Sequence, residues 1–232
     1  AMKKEILNDY ELIYLAKECD ITKNMDEEHK RLFRLGVFAH ELLHQLYTDF
    51  MYMQAALSRH ARKEATVLQT LINVIEDPAI EYNADNAFGG SLLDALHFSI
   101  LSIYKWSPPI EQSGSAWSQF INSLIQFGDV GIVKGDFTYP EAYEAFKKVA
   151  PEFLKMVSDP VSIHRIDAAE RWLEMTRFIW EDETDESLKE AAKETGKNMG
   201  SAPPEGGGRQ KSFPERHPEQ SSCLHPASLC AL

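Results

Sequence analysis

The sequence predicts a mainly α-helical, multi-helix domain, and three observations carry the prediction. Between residues 10 and 197 apolar side chains recur at three- and four-residue spacing, Pro and Gly cluster between the periodic stretches, and only 130–138 has strand character. With 44% hydrophobic and 26% charged residues in a chain of 232, there is enough apolar surface for one sizeable core.

Taken in order, residues 10–19 form a short amphipathic helix. Residues 25–60 read as one long helix, opened by Asp26-Glu27-Glu28 and free of internal Pro or Gly except Gly36. A third helix at 62–88 is interrupted by Pro78 and stopped by Gly89-Gly90. Helices at 91–106, 116–127, 140–157, 161–180 and 185–197 follow, punctuated by Pro-Pro, Gly-Asp and Asp-Pro pairs. Trp172, Phe178 and Trp180 have helical spacing and are expected in the core. Residues 198–232 are dense in Pro, Gly and Ser without apolar periodicity, which predicts a disordered tail or linker, with a further domain beyond it as a hypothesis. The folded domain is therefore 1–197.

Charge narrows the function classes. Lys+Arg 24 against Asp+Glu 36 gives a formal charge of −12, a field that repels nucleic acid and anionic lipid. The apolar run at 91–106 is broken by Asp94, His97 and Lys105 and falls short of the ~20 residues that a bilayer span needs. The opening residues lack the apolar region of a signal peptide, so the expected location is cytoplasmic. Three cysteines, Cys19, Cys223 and Cys230, make no disulfide framework.

The chemistry-bearing pattern is His40-Glu41-Leu42-Leu43-His44, an H-E-x-x-H on the long helix. Residues i and i+4 project from one helical face, so both imidazoles can reach one Zn2+ ion at ~2.0–2.1 Å. Glu41, beside the first of them, is placed to act as general base on a water. The bland account has His40 and His44 as partly buried helix histidines and Glu41 on a solvated face.

A catalytic zinc site needs a third protein ligand, and Asp77, Glu81 and Asp85 recur every four residues on one face of the next helix. With Glu81 as the ligand, Asp85 one turn on can accept the free N–H of a ligating histidine. Glu76 and Asp77 are the alternative ligands, and Asp77 also suits a cap before Pro78.

His40-Glu41-Leu42-Leu43-His44 followed by Glu81-Tyr82-Asn83-Ala84-Asp85 resembles the gluzincin clan of zinc metallopeptidases. More closely, 39–50 with 73–81 resembles the metallopeptidase-like region that precedes von Willebrand factor A domains in bacterial and phage proteins related to a cobaltochelatase subunit. The match covers 36–90, and no von Willebrand domain with its D-x-S-x-S motif is present in the sequence. The resemblance implies a zincin-like fold with His40, His44 and Glu81 as zinc ligands, Glu41 as base and Asp85 behind a histidine. It also implies a peptide or protein substrate, which gluzincins hold along a sheet edge; only 130–138 offers one here.

His97 and His164 are possible oxyanion stabilisers, as are Tyr104, Tyr139 and Tyr143. The leading expectation is a zinc-dependent metallopeptidase. The runner-up is a non-catalytic zincin-like module acting with a von Willebrand A-type or ATPase partner, and a third is a purely structural helical scaffold.

Overall fold

A computed structural model describes residues 20–189 and residue 191. After a 3-10 turn at Asp20–Thr22, α1 spans Glu27–Tyr47. Its start is capped by Asp26, whose carboxylate accepts the His29 backbone N–H at 2.8 Å, with Glu27 and Glu28 complementing the helix dipole. Then follow α2 (Phe50–Leu57), α3 (Arg62–Ala87), α4 (Ser91–Trp106), a 3-10 turn at Ile110–Gln112, α5 (Ala116–Val130), α6 (Pro140–Val157), α7 (Ser162–Met175) and α8 (Arg177–Trp180). Residues 185–189 are helical as well. Among the described residues the architecture is helical without a strand, and no helix is long and apolar enough to cross a membrane. The expected helix at 10–19, residues 192–197 and the tail at 198–232 lie outside the described residues.

Four expectations are corrected. The 25–60 helix breaks at Thr48, which is extended (φ −101°, ψ 127°), and Asp49 caps a new helix by accepting the Tyr52 N–H at 2.9 Å. Conversely, α3 runs straight through Pro78, because Ile75, Glu76, Ala79 and Ile80 on both sides of it are buried and their packing outweighs the lost backbone bond. The 161–180 helix splits at Thr176, whose hydroxyl bonds back to the Trp172 carbonyl at 2.7 Å. Finally, the stretch with strand character at 130–138 ends α5 at Val130 and is otherwise an irregular connection, in which side chains take up backbone N–H groups. Gln126 accepts from Lys134 N at 2.8 Å, and Gln119 accepts from Thr138 N and Tyr139 N at 3.0 and 2.9 Å. Gly131, left-handed at φ 73°, ends α5 ahead of it.

The main core gathers Leu68, Leu71, Ile72 and Ile75 of α3 around Trp117, Phe120, Phe153, Trp172 and Trp180. The polar ends of two of these indoles are satisfied: Trp172 Nε1 donates to Glu152 at 2.8 Å and Trp180 Nε1 to the Leu173 carbonyl at 3.1 Å. Phe178, expected inside, is half exposed.

A second cluster, Ala39, Leu43, Ile80, Ala84, Leu96 and Ile100, joins α1, α3 and α4. Leu43 enters it while Leu42 stays exposed. On the same helix Gly36 stands against the Ala95 carbonyl and the Ser99 hydroxyl, where a Cβ has no room, so α1 and α4 meet at backbone contact. The H-E-x-x-H turn of α1 is thus held between α3 and α4.

Candidate metal centre

Three ligand atoms converge where α1 crosses α3. His40 Nε2 and His44 Nε2 are 3.1 Å apart, and Asp77 Oδ1 lies 3.2 Å from His44 Nε2 and 3.6 Å from His40 Nε2. Contacts along the crossing pair His40 with Glu81, His44 with Asp77 and Thr48 with Glu76, so the two helices run antiparallel here. Each helix contributes through residues one turn apart, as the i, i+4 spacing requires.

The other ring nitrogens are engaged behind this triangle. His40 Nδ1 bonds Glu81 Oε1 at 2.9 Å, and His44 Nδ1 bonds Thr48 Oγ1 at 3.0 Å. Both Nε2 atoms therefore turn inward. His40 is 2% exposed and Asp77 19%, so the triangle is sheltered yet reachable from its carboxylate side.

The electrostatics call for a positive charge in this place. Burial opposes a proton on His40, but the carboxylates of Asp77 and Glu81 beside it outweigh that and push the imidazole up to about 10. Burial acts to raise Asp77 as well, and the two imidazoles overcome it, holding the carboxyl well below the usual range. Glu81 is raised by burial, which the neighbouring His40 only partly offsets. Two imidazole lone pairs cannot face each other across 3.1 Å with nothing between them. One of the two nitrogens must carry a hydrogen, or a cation must lie between them.

A cation with three donors fits the same position. Ligand atoms on a tetrahedral zinc with bonds of ~2.0–2.1 Å stand roughly 3.3–3.4 Å apart. The observed edges of 3.1, 3.2 and 3.6 Å span that value. Two imidazoles and one carboxylate are a zinc donor set, and they leave a fourth position open.

The residues singled out from the sequence are distributed as follows. His40, His44 and Asp77 meet at the triangle. Glu81 sits behind His40, in the role that Asp85 was expected to fill. Asp85 does not reach the histidines, because one more turn of α3 carries it to the surface, where it pairs with His97 at 2.7 Å. Glu76 turns away from the histidines. It accepts from Thr48 Oγ1 (2.7 Å), Ser162 Oγ (3.1 Å), Arg165 Nε (2.7 Å) and Arg165 Nη2 (2.9 Å), which uses all its lone pairs. Glu41 is half-buried on α1 beside His40. His164 is exposed and bound to Asp159 at 3.1 Å, so, like His97, it is engaged elsewhere.

Sequence reasoning missed Thr48, Ser162, Arg165 and Asp129. Arg165 carried a signal, because it falls on the buried stripe Ser162, Arg165, Ile166, Ala169, Trp172 of α7, where an arginine demands a buried partner. Asp129 is flanked by Gly128, which lies against Pro78, and by Val130, which packs on the cluster of Ala39, Leu43 and Ile80. Burial, and then the charges of Glu81 and Asp77, hold its carboxyl well above the usual range. No protein-family model, curated protein or solved structure matches this chain.

Proposed function

We propose that this chain is a zinc-dependent hydrolase of gluzincin-like type, acting on peptide bonds. One observation carries the reading: His40 Nε2, His44 Nε2 and Asp77 Oδ1 stand at the mutual separations of three ligands on one tetrahedral ion. On this reading Asp77, rather than Glu81, is the third ligand.

Zinc bound there supplies a Lewis acid that brings water's acidity close to neutral pH. The chain's own residues do the rest. Glu81 holds His40 by Nδ1, so that its Nε2, facing His44, would be free to bind the metal. Glu41, one residue beyond His40 and on the flank of the ligand face, accepts the proton of the attacking water at its carboxylate and returns it to the leaving amine. The peptide reaches the site from the side where Asp77 and His44 are partly exposed.

The runner-up, a non-catalytic module with a structural metal, draws on Asp129, a further buried carboxylate that feels the charges of Glu81, Asp77 and His40. Two measurements on the full chain decide between them. Elemental analysis of protein purified without added metal is expected to find about one zinc per chain; iron instead would match the other chemistry suited to two histidines and a carboxylate. Hydrolysis of a quenched fluorescent peptide library is then expected to vanish in Glu41→Gln with zinc retained. Zinc bound in both proteins with no hydrolysis by wild type would favour the structural module.

A further inference from the structure

Behind His44 the structure holds a chain of hydrogen bonds that no residue of the H-E-x-x-H turn supplies. Arg165 and Glu76 are both buried, at 0% and 2% side-chain exposure, and form a two-pronged ion pair at 2.7 and 2.9 Å. Glu76 next accepts from the Thr48 hydroxyl at 2.7 Å, and the Thr48 oxygen meets His44 Nδ1 at 3.0 Å. The segment that presents Thr48 is itself pinned by α7: Arg165 Nη2 donates to the Tyr47 carbonyl at 2.9 Å, and Asp49 N donates to Ser162 Oγ at 3.0 Å.

The direction of each bond follows from donor arithmetic. An arginine only donates, so Glu76 is the acceptor, and a carboxylate that accepts from Arg165, Ser162 and Thr48 has no proton to offer. The single hydroxyl hydrogen of Thr48 is thereby committed to Glu76. Thr48 can then only accept from His44, which places the hydrogen of that imidazole on Nδ1 and the lone pair on Nε2.

We infer that the Arg165–Glu76–Thr48 chain is a positioning device that fixes His44 in its metal-binding tautomer and orientation from α7, a helix with no atom in the ligand triangle. The inference rests on the hydrolase reading for its purpose, but not for its geometry. It explains why α1 ends at Tyr47. An unbroken helix would keep the Thr48 backbone in the helical ladder instead of the extended conformation in which its hydroxyl links His44 to Glu76. It also gives Glu76 and Asp77, adjacent in sequence, separate duties in one site.

The test combines a spectroscopic readout with a pair of substitutions at Thr48. In the metal-free wild type, imidazole nitrogen NMR is expected to show His44 with a protonated Nδ1 and an unprotonated Nε2. Thr48→Val keeps the shape and removes the hydroxyl; it is expected to mix the two tautomers and weaken zinc binding by ~10–100-fold, as loss of a partner behind a ligating histidine does. Thr48→Ser restores the hydroxyl and is expected to return both readouts towards wild type. The inference is overturned if His44 carries its hydrogen on Nε2 in the wild type, if Thr48→Val binds zinc as tightly as wild type, or if Thr48→Ser loses as much as Thr48→Val. Should the wild type take up no zinc, the hydrolase reading falls while the nitrogen spectrum still decides the chain.

Discussion

Glu76 and Asp77 are neighbours on α3, about 100° apart around its axis, and they face different helices. Glu76 looks to α7, where three donors from Ser162 and Arg165, joined by the Thr48 hydroxyl, saturate it. Asp77 looks to α1, where it meets the inward nitrogens of His40 and His44. The first is a closed ion pair with nothing left to give a ligand; the second is a carboxylate with spare lone pairs beside two imidazoles. The contrast shows that an acidic side chain's use is set by how many of its lone pairs the fold has already filled.

The widest effect should come from breaking the closed pair. Arg165→Met leaves a buried carboxylate without its counter-charge, and loss of one partner of such a pair costs about 3–5 kcal/mol. Calorimetry should show a markedly lower Tm; a variant that melts with wild type would mean that Glu76 is not held as described. Asp77→Asn should lower the Tm less than Arg165→Met does, while zinc binding drops below detection in a titration. If Glu76→Gln lost zinc and Asp77→Asn kept it, the two carboxylates would have exchanged roles.

Acidity offers a third way to sharpen the comparison. His40 is raised to about 10 from an ordinary 6.5, so the metal-free fold binds this proton more tightly than the unfolded chain does. That contribution is complete below about pH 6.5 and is lost as pH rises through about 10. Glu81 and Asp129, both raised by burial, act in the same direction, whereas the lowered Asp77 contributes above its ordinary 3.8 and is lost only in acid. Melting followed from pH 6.5 to 10 in the presence of a chelator should therefore decline. Saturating zinc should flatten the decline, because the metal takes the place of the His40 proton. A level profile without metal would show that His40 carries no such proton.

Smaller effects come from the supporting residues. Glu81→Gln should weaken zinc by ~10–100-fold, or about 1.4–2.7 kcal/mol, by loosening His40. Asp85→Asn should leave zinc binding unchanged and cost at most the ~0.2–1 kcal/mol of an exposed pair. Zinc loss in the Asp85 variant as large as in the Glu81 variant would restore the E-x-x-A-D assignment.

Much of this was legible from local spacing. A helix places His40 above His44, and Asp77, Glu81 and Asp85 on one face, whatever the rest of the chain does. Which carboxylate meets which nitrogen was not legible, because it depends on how far α3 is rotated and slid against α1. That setting comes from Ile80 and Ala84 packing on Leu43, Leu96 and Ile100, residues remote from each other in sequence. The helical class was visible for the same local reason. The break at Thr48 was not, since it depends on Ser162 and Arg165, more than a hundred residues away. Pro78 misled in the opposite sense: local chemistry argues for a break, and burial on both sides overrides it.

Gly36 lies one helical turn before His40, about 6 Å along the axis of α1. With the Ala95 carbonyl and the Ser99 hydroxyl already occupying the place of a side chain, the glycine is the fulcrum on which α1 rests against α4. Even a methyl group at this point would lever the helix outward, and the next turn, carrying both imidazoles, would travel with it. The distance of both imidazoles from Asp77 is therefore gauged from outside the site. Position 36 thus sets the geometry of the triangle without contributing an atom to it.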